Sequence, residues 1–194
     1  EFQTATFILR DVTERRRATE EIKNRLRQET MIAKIAALLA TVDEPVDVYN
    51  DILSIIGETL RAGRVSVFAI DEVDKVVRLI AGWVYQNVPI PTKIIKSIPI
   101  SKAPWTYSYI ARDEIVLIEN SNEIPESDKV LYHDMVINSA IVIPITISTC
   151  AVGVLGIDMQ STHHWEQPEI NMLKAAADII ANAWTRQIEI EVRR

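Results

Sequence analysis

The chain has 194 residues, of which 48% are hydrophobic, which is enough for one domain with a core and helical extensions. The net charge of −6 argues against a nucleic-acid partner, because phosphate binding needs a basic face. A single cysteine, Cys150, excludes an internal disulfide framework and a multi-cysteine zinc site. No apolar run reaches the roughly 20 residues that cross a bilayer, so we expect a cytoplasmic fragment without a transmembrane segment.

The N-terminal segment predicts a strand followed by a helix. Phe7 to Leu9 is a short apolar run, and Asp11 follows it as a good helix N-cap with Glu14 three residues later. A lone strand is not stable, so this one is predicted to complete a separate sheet. The run Asp11-Val12-Thr13-Glu14-Arg15 resembles the exit of a PAS sensor domain. The resemblance implies that residues 1–12 are the C-terminal strand remnant of such a domain.

Residues 13–42 are predicted to form a linker or signalling helix. Its first half is almost entirely polar, whereas an apolar seam at steps of three and four begins at Ile32. This spacing is typical of a coiled coil or helical bundle. The seam extends backwards through Ala33, Glu29, Leu26 and Ile22. Asp43-Glu44-Pro45 ends the helix, and a second helix is predicted from Val46 to Leu60.

From Arg64 onwards the hydrophobic period changes to that of strands. Strands are expected at 65–70, 76–84, 98–100, 115–118, 139–147 and 151–159, and helices at 104–112, 127–135 (with Ser127 as its cap) and 169–192. This order is an α+β layout around an antiparallel sheet of about five or six strands, flanked by helices and with long N- and C-terminal helices.

Three groups of residues stand out in this layout: Ala62 to Asp71, then Ser139 to Ile145 with Val152 to Asp158, and finally Trp165 to Leu173. In this order they resemble the GAF domain, a small-molecule sensing relative of PAS. The resemblance implies a sensory core at 43–168 and a C-terminal dimer or output helix at 169–194. It also implies a multidomain signalling protein, such as a sensor histidine kinase or a related cyclase.

No group of residues points to catalysis, so we expect the fragment not to be an enzyme. The five glycines are scattered and form no phosphate loop. GAF-related sulfoxide reductases need several cysteines, and bilin-binding relatives use a cysteine beside a histidine, whereas residues 127–135 contain only His133. Cyclic-nucleotide-binding relatives carry a spaced set of Asn-Lys, Phe and Asp-Glu residues around the closing hairpin. Of this set the chain keeps only an aromatic residue, Trp165, and one acid, Glu169.

A small-molecule pocket is predicted between the sheet and the irregular stretch from Val84 to Ser139, because loops over a rigid sheet often bind ligands. The candidate ligand-binding residues are Trp83, Trp105, Tyr109, His133 and Asp158. No cofactor is required by the sequence, and no metal site is predicted. One alternative is a haem-binding gas or redox sensor with His133 as the iron ligand. Another is a ligand-free scaffold for dimerisation.

A parallel homodimer through the first and last helices is predicted from their apolar seams. The predicted interface residues are Ile32, Ile35, Leu39, Val42, Leu173, Ala176, Ile180, Ala183 and Gln187. Such an interface would transmit a small shift or rotation between an upstream and a downstream domain.

Overall fold

The computed structural model describes residues 2–40, 48–86, 88 and 96–193, with side chains described between 14 and 186. The helices are α1 (Phe2–Ala40), α2 (Tyr49–Leu60), α3 (Pro104–Ile110), α4 (Glu126–Asp134) and α5 (Gln167–Arg193). The strands are β1 (Arg64–Asp71), β2 (Val76–Val84), β3 (Ser97–Pro99), β4 (Val116–Ile118), β5 (Ser139–Ile147) and β6 (Cys150–Met159). The strands form one antiparallel sheet in the order β3-β2-β1-β6-β5-β4, which confirms the predicted α+β fold.

The two faces of the sheet differ because successive strand residues point to opposite sides. In β1, Val65 and Val67 are fully buried among apolar side chains of the helices α1, α2 and α5. Their neighbours Ser66 and Phe68 face the other side of the sheet, beneath α3 and α4. We call these sides the helical face and the cavity face.

On the helical face, α2 packs closely against β2. A Cβ atom added at Gly57 would lie only 2.0 Å from the ring of Trp83, so a glycine is needed for this approach. Trp83 therefore belongs to the contact between sheet and helix, on the side of the sheet away from the cavity.

The apolar seams of α1 and α5 lie against one another inside the chain. Six of the residues predicted for a dimer interface are buried in the core, namely Ile35, Leu39, Leu173, Ala176, Ile180 and Ala183. This burial corrects the interface assignment, because these side chains already have partners within one chain. Ile32 is partly buried against the same core. Val42 and the side chain of Gln187 lie outside the described residues.

The predicted strand at Phe7 to Leu9 is wrong, because α1 is continuous from Phe2 to Ala40. A strand needs a neighbour for its backbone hydrogen bonds, whereas a helix forms them within itself. The relation of this segment to a PAS domain stays a prediction. The predicted helix break at 43–45 and helix start at Val46 lie outside the described residues.

The other predicted elements agree with the structure to within a few residues. A difference occurs at α4, which begins at Glu126 after Pro125, so Ser127 is not its cap. The Ser127 hydroxyl instead donates to a carboxylate oxygen of Asp128 at 2.7 Å. Among the described helices, none is both long and apolar enough to cross a membrane.

Candidate ligand-binding site

A cavity of about 100 Å³ lies between the sheet and the two short helices α3 and α4. Strands β1, β2, β3, β5 and β6 form its floor, and α3, α4 and the turn at 100–103 form its roof. Most of the lining is apolar and includes Phe68, Val77, Ile98, Ile110, Val142 and Val154.

Small residues on two paired strands provide space at the floor of the cavity. Ser66 of β1 pairs with Gly156 of β6. A Cβ atom added at Gly156 would meet only the backbone oxygen of Ser66, at 4.0 Å. The space above Gly156 is thus open, and this glycine lines the cavity.

A buried ion pair forms one polar part of the site. Arg64 and Asp158 are paired across β1 and β6, and the Arg64 Nε atom lies 3.0 Å from Asp158 Oδ2. The Arg64 Nη2 atom also donates to the backbone oxygen of Met135 at 2.6 Å. The two charged side chains are only 7% and 14% exposed. The pair therefore ties the floor of the cavity to the end of α4.

Burial controls the charge state of Asp158. It raises the pKa of this carboxyl group to about 6, while the charge and the hydrogen bond of Arg64 oppose the shift. At neutral pH, Asp158 is therefore mainly ionised. Because Asp158 lines the cavity, an otherwise apolar space has a hydrogen-bond acceptor at its wall.

Asp128 holds the two roof helices together. Its buried carboxylate accepts hydrogen bonds from the backbone N–H groups of Trp105 at 3.0 Å and of Thr106 at 2.8 Å. It thereby satisfies N–H groups in the first turn of α3 that have no partner within the helix. The hydroxyl groups of Thr106 and Tyr132 lie 3.0 Å apart and join α3 to α4 a second time.

Of the five predicted ligand-binding residues, only Asp158 lines the cavity. Trp83 packs under α2. Trp105 and Tyr109 form an edge-on pair, with ring centroids 5.3 Å apart, against a separate apolar cluster around Val116. His133 is exposed on α4. The structure therefore places these four predicted residues outside the lining of this cavity.

The residues that sequence reasoning missed had a usable signal. Arg64, Ser66 and Phe68 share one strand face, and Val154, Gly156 and Asp158 share a face of the paired strand. A basic and an acidic residue at matching ends of two apolar strands are candidates for a buried pair. Asp128 carried no comparable signal, because its partners are backbone groups of another helix.

The donor set and size of the cavity do not fit the haem alternative. His133 lies outside the lining, and a space of about 100 Å³ is below the roughly 300–1,000 Å³ of ordinary drug-sized pockets. A bilin is too large for the same reason, and Cys150 is exposed at the start of β6. Within the described part of the chain, no three His, Cys, Asp or Glu side chains come together as a metal site.

The architecture is thus a six-stranded antiparallel sheet with long helices on one face and a cavity under short helices on the other. The chain belongs to the GAF domain family, whose sequence profile matches residues 44–184.

Individual relatives are distant. The Methanogenesis regulatory histidine kinase FilI of Methanothrix harundinacea (strain 6Ac) is 24% identical over 184 residues, which cover 92% of this chain and 21% of that protein. The chain thus spans about a fifth of the length of this curated relative.

Two solved structures show the same fold at low identity. The phycoerythrobilin-bound GAF domain of a cyanobacterial phytochrome has a TM-score of 0.74 at 15% identity, covering 84% of this chain and 97% of that one. A domain of a putative two-component sensor histidine kinase protein from Sinorhizobium meliloti 1021 has a TM-score of 0.62 at 18% identity, covering 79% and 99%.

Proposed function

We propose that this domain is a non-catalytic sensory module of a signal-transduction protein of the histidine kinase type. It binds a small molecule in the cavity and relays binding through α1 and α5 to a downstream kinase or cyclase domain. The cavity beside a buried charged pair is the observation that carries this proposal. The family and the kinase relative support the signalling context.

The cavity favours a sensor over the alternative of a ligand-free scaffold. Protein interiors are close-packed, and a buried ion pair is weak evidence for stability, since apolar replacements are often as stable. A side chain larger than hydrogen at Gly156 would meet little resistance and would fill the space. A domain that served only as a scaffold would gain from such filling, whereas a sensor needs the space.

Strands β5 and β6 connect the cavity to the helices. Val142 and Val154 line the cavity, while their chain neighbours Ile141 and Leu155 are buried in the core on the helical face. Helix α5 packs on β5, and α1 packs on α5. A ligand that displaces either strand would therefore move side chains beneath α5, and packed interfaces respond to such shifts as a unit.

The test compares two glycine variants in a screen of small molecules. Gly156→Leu fills the cavity, whereas Gly82→Ala adds a methyl group in ordinary contact with Ser66 and Leu79, outside the cavity lining. Thermal unfolding and native mass spectrometry are recorded for both variants and the unmodified protein. We expect a compound that raises the Tm of the unmodified protein and of Gly82→Ala but not that of Gly156→Leu. If no compound binds, or if Gly156→Leu binds equally well, the scaffold reading is correct.

We also propose a homodimer, with an interface other than the buried seam. Ile22 and Leu26 lie four residues apart on α1 and are 68% and 62% exposed. Exposed apolar residues at this spacing on a polar helix favour pairing with a second helix. We expect Leu26→Glu to lower the mass in sedimentation equilibrium. Asn24→Glu, which adds the same charge on the opposite side of α1, should leave the mass unchanged.

A further inference from the structure

We infer that the ligand of the cavity is a small, uncharged and mainly hydrocarbon molecule that carries one hydroxyl group, or a similar neutral donor, bound by Asp158. This inference rests on the proposed sensory function and deepens it by naming the chemical class of the ligand. Four properties of the cavity carry it: its size, its apolar wall, a free acceptor oxygen and its balanced charge.

The size of the cavity limits the ligand to a few atoms. An engineered cavity of about 150 Å³ holds one benzene molecule. The cavity here has about 100 Å³. By that proportion it holds roughly four non-hydrogen atoms, so a four-carbon chain with a small head group is near its upper limit. The walls are aliphatic and aromatic carbon over most of their area, with Phe68 and Val154 on the floor and Ile110 in the roof. A hydrocarbon body fits them without loss of polar contacts.

One oxygen of Asp158 is available to a ligand. Its Oδ2 atom accepts the hydrogen bond from Arg64 Nε, whereas Oδ1 has no hydrogen bond to any described residue. The Asp158 side chain keeps 14% of its surface exposed and lines the cavity. An ionised carboxylate only accepts hydrogen bonds, so the ligand must supply a donor.

The charge balance of the site excludes ionic ligands. Arg64 and Asp158 neutralise one another, and the hydroxyls of Tyr132 and Thr106, which line the cavity beside them, are uncharged. The buried carboxylate of Asp128 lies outside the lining and accepts hydrogen bonds from the Trp105 and Thr106 N–H groups and from the Ser127 hydroxyl. An ammonium group would leave a net positive charge buried beside Arg64. A carboxylate would be repelled by Asp158. Either ion would lose its hydration without a free counter-charge, which costs far more than burying a hydroxyl that is hydrogen-bonded.

The experiment uses four probes of similar size but different head groups: 1-butanol, methyl propyl ether, butylammonium and butyrate. Affinities for the unmodified protein, Gly82→Ala and Gly156→Leu are measured by two-dimensional NMR titration, with circular dichroism to verify folding. If Gly156→Leu does not fold, Gly156→Val replaces it. We expect 1-butanol to bind at least about tenfold more tightly than the ether, which cannot donate, because hydrogen bonds to charged groups contribute this much. The two ions should bind more weakly still.

The outcomes separate this inference from the function on which it rests. Equal binding of the ether and the alcohol, tighter binding of either ion, or no binding of the alcohol would overturn the inferred ligand class. If the ether or an ion binds the unmodified protein, and its binding is lost in Gly156→Leu but kept in Gly82→Ala, the cavity remains the sensory site. If Gly156→Leu binds 1-butanol as well as the unmodified protein does, the cavity is not the site, and the proposed function fails with the inference.

Discussion

The two faces of the sheet are built from the same strands but pack in opposite ways. On the helical face, large side chains such as Ile141, Leu155 and Leu173 are fully buried and fill the space under α1, α2 and α5. On the cavity face, Ser66 and Gly156 leave space, and a charged pair is buried beside it. One face is closely packed, and the other leaves the space in which we propose that a ligand binds. The alternation of strand residues allows both within single strands.

The largest effect should follow from a charge on the helical face. Ile180→Asp places a carboxylate in the core without a partner, so we expect a loss of at least about 4 kcal/mol in the free energy of unfolding, a large part of the stability of a typical domain. Urea unfolding followed by circular dichroism measures it. Asn24→Asp, at an exposed position of α1 on the side away from Ile22 and Leu26, should change the value by less than about 0.5 kcal/mol. If Ile180→Asp stayed folded and the mass of the assembly in solution fell to half, the apolar seam of α1 and α5 would be a dimer interface after all.

On the cavity face, breaking the ion pair should be the most costly change. Arg64→Met leaves Asp158 buried without its counter-charge, and we expect a loss of about 3–5 kcal/mol. The double variant Arg64→Met/Asp158→Leu should recover most of this loss, because it removes both charges. Equilibrium unfolding of the two variants gives the comparison. A single variant as stable as the unmodified protein would show that the pair is solvated.

The roof of the cavity should loosen when Asp128 is removed. Asp128→Ala leaves the N–H groups of Trp105 and Thr106 without their acceptor, at a cost of about 2–4 kcal/mol. Asp128→Asn keeps one acceptor oxygen and should lose less. Amide hydrogen exchange should accelerate in α3 more than in α5. Uniform acceleration in both helices would mean that Asp128 supports the whole fold and not the roof in particular.

The pH dependence of stability should carry the signature of Asp158. Its pKa is raised from the ordinary value of 3.8 to about 6 in the folded state. The folded protein therefore holds this proton to a higher pH than the unfolded chain does, which stabilises the fold at low pH. This stabilisation is complete below about pH 4 and is lost as the pH rises through 6, by up to about 3 kcal/mol. The ionisable groups that face it are Arg64 and Tyr132, and burial raises the pKa of Tyr132. Asp128 interacts electrostatically with Tyr132 as well. The difference in unfolding free energy between the unmodified protein and Asp158→Asn, measured from pH 4 to 7.5, should decrease over that window. If this difference in unfolding free energy did not vary with pH, the Asp158 carboxyl group would be in contact with solvent and not buried.

The sequence predicted the helical face better than the cavity face. The strand periods and the seams at Ile35 and Ile180 follow from hydrophobic spacing, so the elements were found, although the seams were assigned to a second chain. Spacing shows that a face is apolar but not which surface covers it. The cavity is defined by residues that are small, such as Gly156, and by polar groups that meet from distant segments, such as Asp128 and Thr106. Large aromatic residues drew the prediction towards Trp83 and Trp105, which fill space instead of lining it.

The most direct test of the division between the two faces is an NMR experiment that locates 1-butanol in the protein. Intermolecular nuclear Overhauser effects from the alcohol to labelled methyl groups report which side chains it contacts. We expect contacts to Val142 and Val154, which line the cavity. Their chain neighbours Ile141 and Leu155, buried on the helical face, should show none. Contacts to Ile141 or Leu155, or contacts only at the exposed residues Ile22 and Leu26, would contradict the assignment of ligand binding to the cavity face.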